Sequence, residues 1–153
     1  MKAVYIKEFG GPENLELREV PDPPSPTGGD VVIRVHAAGL NRADLLQRRG
    51  LYPPPPGYSP NIPGLEFAGE ITDVGADVTD LRSGDRVFGI AAGEAQAEYL
   101  KIDRRLVARV PDNLSLVEAA ATPEAFITAH DAVFAQAELK DAETLLVHAV
   151  GSG

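Results

Sequence analysis

The sequence predicts a mainly β fold with short helices, of the α+β class, with strands first and helices last. Three observations predict it. Ten of the 13 prolines fall between Pro21 and Pro63, and a residue without a backbone donor and with a fixed φ excludes regular helix or continuous central sheet there. Before Pro111, apolar residues alternate with polar ones in short runs, the period of half-buried strands. After Pro111 the composition turns alanine-rich and is opened by helix-capping residues.

Taken in order, Lys2 to Ile6 and Leu15 to Val20 read as strands separated by the turn composition Phe9-Gly10-Gly11-Pro12. The stretch from Pro21 to Asp30 is a structured connector. In the next strand Val31, Ile33, Val35 and Ala37 face one way, with Val32, Arg34 and His36 opposite. A short helix follows: Asn41 is its N-cap, Asp44 sits at N3, Leu45 and Leu46 are its apolar residues, and Gly50 closes it. Leu51 to Tyr58 carries four consecutive prolines and is predicted to be a stiff, extended loop. Strands are expected over Glu66 to Val74, Arg86 to Ile90, Gln96 to Ile102 and Leu106 to Val110, with turns at Gly75, Ser83-Gly84-Asp85 and Ala92-Gly93. Ser115-Leu116-Val117-Glu118 is a capping box. Thr122-Pro123-Glu124 starts a second helix, with Phe126, Ala129, Val133 and Phe134 at helical spacing. Thr144 to Val150 reads as a buried-type strand leading into Gly151-Ser152-Gly153, half of a dinucleotide-binding fingerprint.

Composition excludes several classes of function. The 153 residues carry 23 Asp and Glu against 14 Lys and Arg and no cysteine. Disulfides, thiolate nucleophiles, Cys-containing zinc sites and iron–sulfur clusters are therefore out, and a reducing, cytoplasmic location is expected. A net charge of -9 argues against nucleic acid as a partner. No apolar run reaches the roughly 18 residues of a membrane span, and Met1 opens into charged sequence, so neither a membrane partner nor a signal peptide is expected.

Five motifs follow one another along the whole chain: Gly39-Leu40-Asn41-Arg42-Ala43-Asp44-Leu45, the Tyr52-proline loop, Ile62-Pro63-Gly64-Leu65-Glu66-Phe67-Ala68-Gly69, Gly84-Asp85-Arg86-Val87 and Val147-His148-Ala149. In this combination the chain resembles the N-terminal portion of the zinc-free NADPH quinone oxidoreductase (zeta-crystallin-like) branch of the medium-chain dehydrogenase/reductase superfamily. The resemblance implies a GroES-like, partly open β-barrel over residues 1–121, acting as the catalytic and substrate domain. Residues 122–153 would then be the linking helix and the start of an incomplete Rossmann cofactor domain. It further implies NADPH as cofactor, a small-molecule quinone or enone as substrate, and a homodimer for the intact protein.

Zinc is not expected. A catalytic zinc needs about three protein ligands, and in zinc alcohol dehydrogenases a Cys stands where this chain has Asn41 and a His where it has Leu65. Glu66 alone cannot hold a metal, and His36, His130 and His148 show no ligand spacing. Without a Lewis acid, reduction of an electrophilic quinone or enone is the accessible chemistry, with hydride from nicotinamide and orientation from the protein.

From the residues alone Asn41 is a helix cap, Tyr52 an aromatic packed on prolines, and Thr128 an ordinary helix residue. The resemblance places Asn41 and Tyr52 beside nicotinamide and substrate, as catalytic and cofactor-binding residues. It sets Thr128 against the carboxamide, and Gly151, Ser152 and Gly153 toward the pyrophosphate or nicotinamide. Arg42 reads as a solvated helix residue. Leu46 stands where some members of that branch carry a Tyr, so any role of that Tyr is missing here. The alternatives are an enoyl or enone reductase on the same scaffold, and a stand-alone GroES-like binding module. The fragment by itself is expected to be inactive.

Overall fold

The computed structural model describes residues 1–148. Strands β1 (Lys2–Ile6) and β2 (Leu15–Glu19) form an antiparallel hairpin, Lys2 opposite Glu19 and Ile6 opposite Leu15, closed by one 3-10 turn over Pro12–Asn14. Five further strands, β3 (Asp30–Ala38), β4 (Glu66–Val74), β5 (Arg86–Ile90), β6 (Tyr99–Asp103) and β7 (Val107–Arg109), form an antiparallel sheet in the order β6-β3-β4-β5-β7. Helix α1 (Arg42–Arg48) joins β3 to β4. Helices α2 (Leu116–Ala120) and α3 (Pro123–His130) follow β7, and α3 runs on into a π-type turn over Asp131–Gln136.

Connectivity forces the five-stranded sheet to curl. β6 and β7 occupy its two edges, yet only Arg104–Leu106 separates them. Ile102 aligns through Val31 with Val74, whereas Val107 aligns through Gly89 with Phe67. In a flat sheet the two ends would lie about 23 Å apart along the strands and roughly 19 Å across them. The five Cα steps from Ile102 to Val107 reach about 18 Å at most. The sheet therefore wraps into a partly open barrel whose edges approach without pairing. Val31, Ile33, Phe67, Ile71, Val87, Leu100 and Ile102 fill its interior, each buried. On the other face of β4, Ala68 packs with Val110, Ala119 and Ala120, which seats α2. A third, smaller cluster of Ala3, Ile62 and Ala97 fastens the hairpin.

Several strand bounds differ from expectation, with Val20 and Val110 falling just outside β2 and β7. Gln96 to Glu98 do not extend β6. They turn to the hairpin instead, Val4 N–H donating to Gln96 O and Glu98 N–H to Lys2 O, both at 2.9 Å, because β1 offers them a free edge. Leu106 belongs to the joint between β6 and β7. Thr144 to His148 form no strand, since a strand exists only through a partner and none of the described residues pairs with them. Ala149 and Val150 lie outside the described residues. Leu145, Leu146 and Val147 are exposed, as are Phe126 and Phe134. Helical spacing put Phe126 and Phe134 on one face, but nothing in the described chain covers that face. Among the described residues no helix is long and apolar enough to cross a membrane.

Candidate functional site

Helix α1 starts where the sequence places it. Asn41 precedes it in extended conformation, and the Asn41 backbone N–H donates to Asp44 Oδ2 at 2.8 Å. The buried face of α1 inverts the expectation, however. Leu45 is exposed, and the residues turned inward are Asp44 and Gln47. The reason is the proline-rich loop beneath, which presents backbone groups that no strand satisfies. Gly64 N–H donates to Asp44 Oδ1 at 3.0 Å, and Gln47 Nε2 donates to Pro60 O at 3.2 Å and Ile62 O at 3.3 Å. Buried backbone polar groups need partners, so two polar side chains take the inward face, Leu45 is left outside and Leu46 is half-buried.

Above this contact stands Glu66, the first residue of β4 and buried. Period-two alternation sets Glu66 on the face shared by Ala68, toward the helices. Its Oε1 accepts from Asn41 Nδ2 at 2.9 Å, and its Oε2 accepts from the Glu124 backbone N–H at 2.9 Å. Thr122 stands at the N-cap of α3, but its hydroxyl does not cap the helix. That hydroxyl instead donates back to Glu118 O at 2.9 Å, and the Glu66 carboxylate supplies an acceptor to the helix start. Neither capping nor periodicity could reveal this role, because the three residues meet only through tertiary packing. One signal was available: Gly39, where a Cβ would strike the Glu66 carboxylate.

The electrostatics are those of three neighbouring acids. Burial pushes the Asp44 carboxyl above its ordinary value of 3.8; the N–H groups of Asn41 and Gly64 pull it back, and the Glu66 charge adds to the rise. Burial, then the charges of Glu66 and Asp44, push Glu124 upward as well.

The expected site residues are partly assembled. Asn41 and the first turn of α3 are joined through Glu66. Thr128 lies one turn beyond Glu124 on the same helix face and is exposed. Tyr52 is 45% exposed and lines a separate recess of about 90 Å³ with Phe9, Gln47, Gly50, Pro53, Pro54 and Pro60. This is the proline packing that its own residue type suggested. Among the described residues no hydrogen bond or shared cavity joins Tyr52 to Asn41. Gly151, Ser152 and Gly153 lie outside the described residues. Leu40 and Leu51, flanking α1, are exposed and give this end of the barrel an apolar rim.

Comparison with known proteins fits this geometry. Residues 27–112 match the family described as the alcohol dehydrogenase GroES-like domain. The synaptic vesicle membrane protein VAT-1 homolog-like of Mus musculus is 38% identical over the whole chain, which covers 36% of that protein. The quinone oxidoreductase of Homo sapiens is 36% identical over the whole chain, covering 46% of that protein. The crystal structure of Escherichia coli quinone oxidoreductase complexed with NADPH superposes with a TM-score of 0.82 at 30% identity, over 94% of this chain and 43% of that one. The chain thus spans less than half the length of these relatives. It belongs to the alcohol dehydrogenase GroES-like domain family, in the medium-chain dehydrogenase/reductase superfamily of quinone oxidoreductases and VAT-1-like proteins.

Proposed function

We propose that this chain is the N-terminal catalytic domain of an NADPH-dependent quinone reductase that works without zinc. Residues 1–121 form the substrate domain, and residues 122–153 lead into a Rossmann cofactor domain. The observation that carries this reading is the pairing of Asn41 with Glu66. In a zinc dehydrogenase of this superfamily the position of Asn41 holds a metal ligand. Here it holds an amide hydrogen-bonded to Glu66, whose second oxygen is engaged by α3. That donor set, with Leu65 as its neighbour, suits hydrogen bonding to an organic ligand and does not suit a metal.

The residues present fit the nicotinamide end of NADPH. Asn41 has an amide face left for a carboxamide or a substrate oxygen. Thr128 offers an exposed hydroxyl, and Leu40, Leu51 and Tyr52 supply apolar surface for a planar ring. When bound, the nicotinamide supplies a hydride. The chain's own task is to orient ring and quinone and to donate hydrogen bonds where charge develops on the quinone oxygen, with Asn41 and Tyr52 in that role. Gly151 to Gly153 are assigned to the phosphate side. The intact protein is read as a cytoplasmic homodimer acting on small molecules, with neither nucleic acid nor membrane as partner.

The test is NADPH oxidation by a quinone in metal-free buffer, using the full-length protein. Turnover unaffected by chelator is expected; dependence on added zinc would count against the reading. A panel of α,β-unsaturated carbonyls beside quinones separates it from an enone reductase. A gene ending after Gly153 would instead favour a stand-alone binding module. The 153-residue chain alone is expected to show no turnover and only weak NADPH binding by calorimetry, since the helix that would hold the phosphates is not part of it.

A further inference from the structure

Glu66 is 4% exposed, and its two oxygens take donors from two different helices: Asn41 Nδ2 at the head of α1 and the Glu124 N–H in the first turn of α3, each at 2.9 Å. Gly39 leaves room for the carboxylate where any side chain would collide with it, and Gly39 N–H donates to the Glu66 carbonyl at 3.2 Å. A carboxylate accepts and does not donate. It therefore fixes the Asn41 amide: the nitrogen faces Glu66, and the carbonyl Oδ1, on the side of the Asp44 backbone N–H in the capping box, keeps acceptor capacity for a ligand.

We propose that Glu66 is a positioning residue for the reaction. By bridging Asn41 to the start of α3, it holds the one rotamer in which Asn41 meets its ligand, and it ties that rotamer to the seat of α3. This rests on the reading of Asn41 as a nicotinamide-side residue. The ligand group that the arrangement selects at Asn41 Oδ1 is a hydrogen-bond donor, an amide NH₂ or a hydroxyl. A bare carbonyl is left to the remaining N–H of Asn41.

Glu66→Gln tests the bridge with little change of shape. Its side chain can accept from one of the two donors only through its oxygen and turns an NH₂ toward the other, so either the Asn41 amide flips or the Glu124 N–H loses its partner. In the 153-residue chain, ¹⁵N NMR should show the Asn41 side-chain amide resonances displaced or the Glu124 amide exchanging about tenfold faster, the effect expected of one lost buried hydrogen bond. In the full-length protein kcat for NADPH-dependent quinone reduction should fall about tenfold or more, with the KM for quinone changed far less. Glu66→Asp keeps the charge but is too short for both donors; it should show the same pattern and serves if the Gln variant does not fold. Unchanged Asn41 and Glu124 resonances in Glu66→Gln overturn the proposal. So does full loss of turnover in Asn41→Ala beside wild-type turnover in Glu66→Gln. Wild-type turnover in Asn41→Ala removes the reading of Asn41 itself, and the proposal falls with it.

Discussion

At Asp44 one buried carboxylate accepts from the N–H of Asn41 at the head of α1 and from Gly64 across the loop. Asp44→Ala removes a helix cap and orphans the buried Gly64 N–H together, and should cost about 2 to 4 kcal/mol in urea unfolding. The same group makes a pH prediction. Its native pKa is raised, so the folded chain holds that proton more tightly than the unfolded one. Its contribution to stability is therefore fully present below 3.8 and is lost as pH rises from there through the native value. Asp103 behaves oppositely: Arg105 lowers its carboxyl to about 2, so its contribution is present above 3.8 and lost as pH falls toward 2. Carboxyl ¹³C NMR titration should place Asp44 above 3.8 and Asp103 near 2, and the reverse order would contradict both. Asn41 and Asp44 were legible in sequence because capping is an i, i+3 relation. Glu66 was not, because its partners Asn41 and Glu124 lie far from it in the chain.

Among the elements, β4 and β5 were readable to the residue, since their alternation is bounded by glycine and proline turns. The capping box of α2 was equally local: Glu118 N–H donates to Ser115 Oγ at 3.2 Å, and Ser115 N–H donates to Glu118 Oε2 at 2.8 Å. The start of β6 was misplaced because alternation says that a segment is extended, not which neighbour it will pair with. α3 shows the matching limit, for spacing tells which residues share a face and leaves open whether anything covers it. The approach to β4 carries the tightest constraint. Gly64 sits at φ +117, and a Cβ there would run into the backbone at Ala95 and Gln96. Gly64→Ala should destabilise by about 3 kcal/mol, combining backbone strain with overpacking. A thermal unfolding midpoint equal to wild type would show that the loop yields.

For the molecule as a whole, the barrel's curvature was not legible in composition; it came from the resemblance and is now explained by the short joint at Arg104–Leu106. The exposed apolar residues Phe126, Ile127 and Phe134 and the segment Leu145 to Val147 should make the isolated chain self-associate. Light scattering should report oligomers that diminish when the residues after Asp141 are removed and when Phe126→Asp is introduced. A monomer throughout would show these surfaces to be harmless. The joint also bears on how the chain reaches its native state. β6 and β7 are neighbours in sequence yet share no ladder, and β3 must find β6, Asp30 opposite Asp103, across most of the domain. The β1–β2 hairpin is short-range but lies outside the main sheet, and within that sheet β4 and β5 are the only pairing strands that follow one another directly in the described chain. The β4–β5 pair alone buries little, so the entropy of closing the long loops that bring β3 to β4 and to β6 must be spent before the sheet is stabilised. Refolding after stopped-flow dilution from denaturant should therefore take milliseconds to seconds, the range roughly typical of non-local β topologies, where a chain of similar length built from local helical contacts would need microseconds to milliseconds.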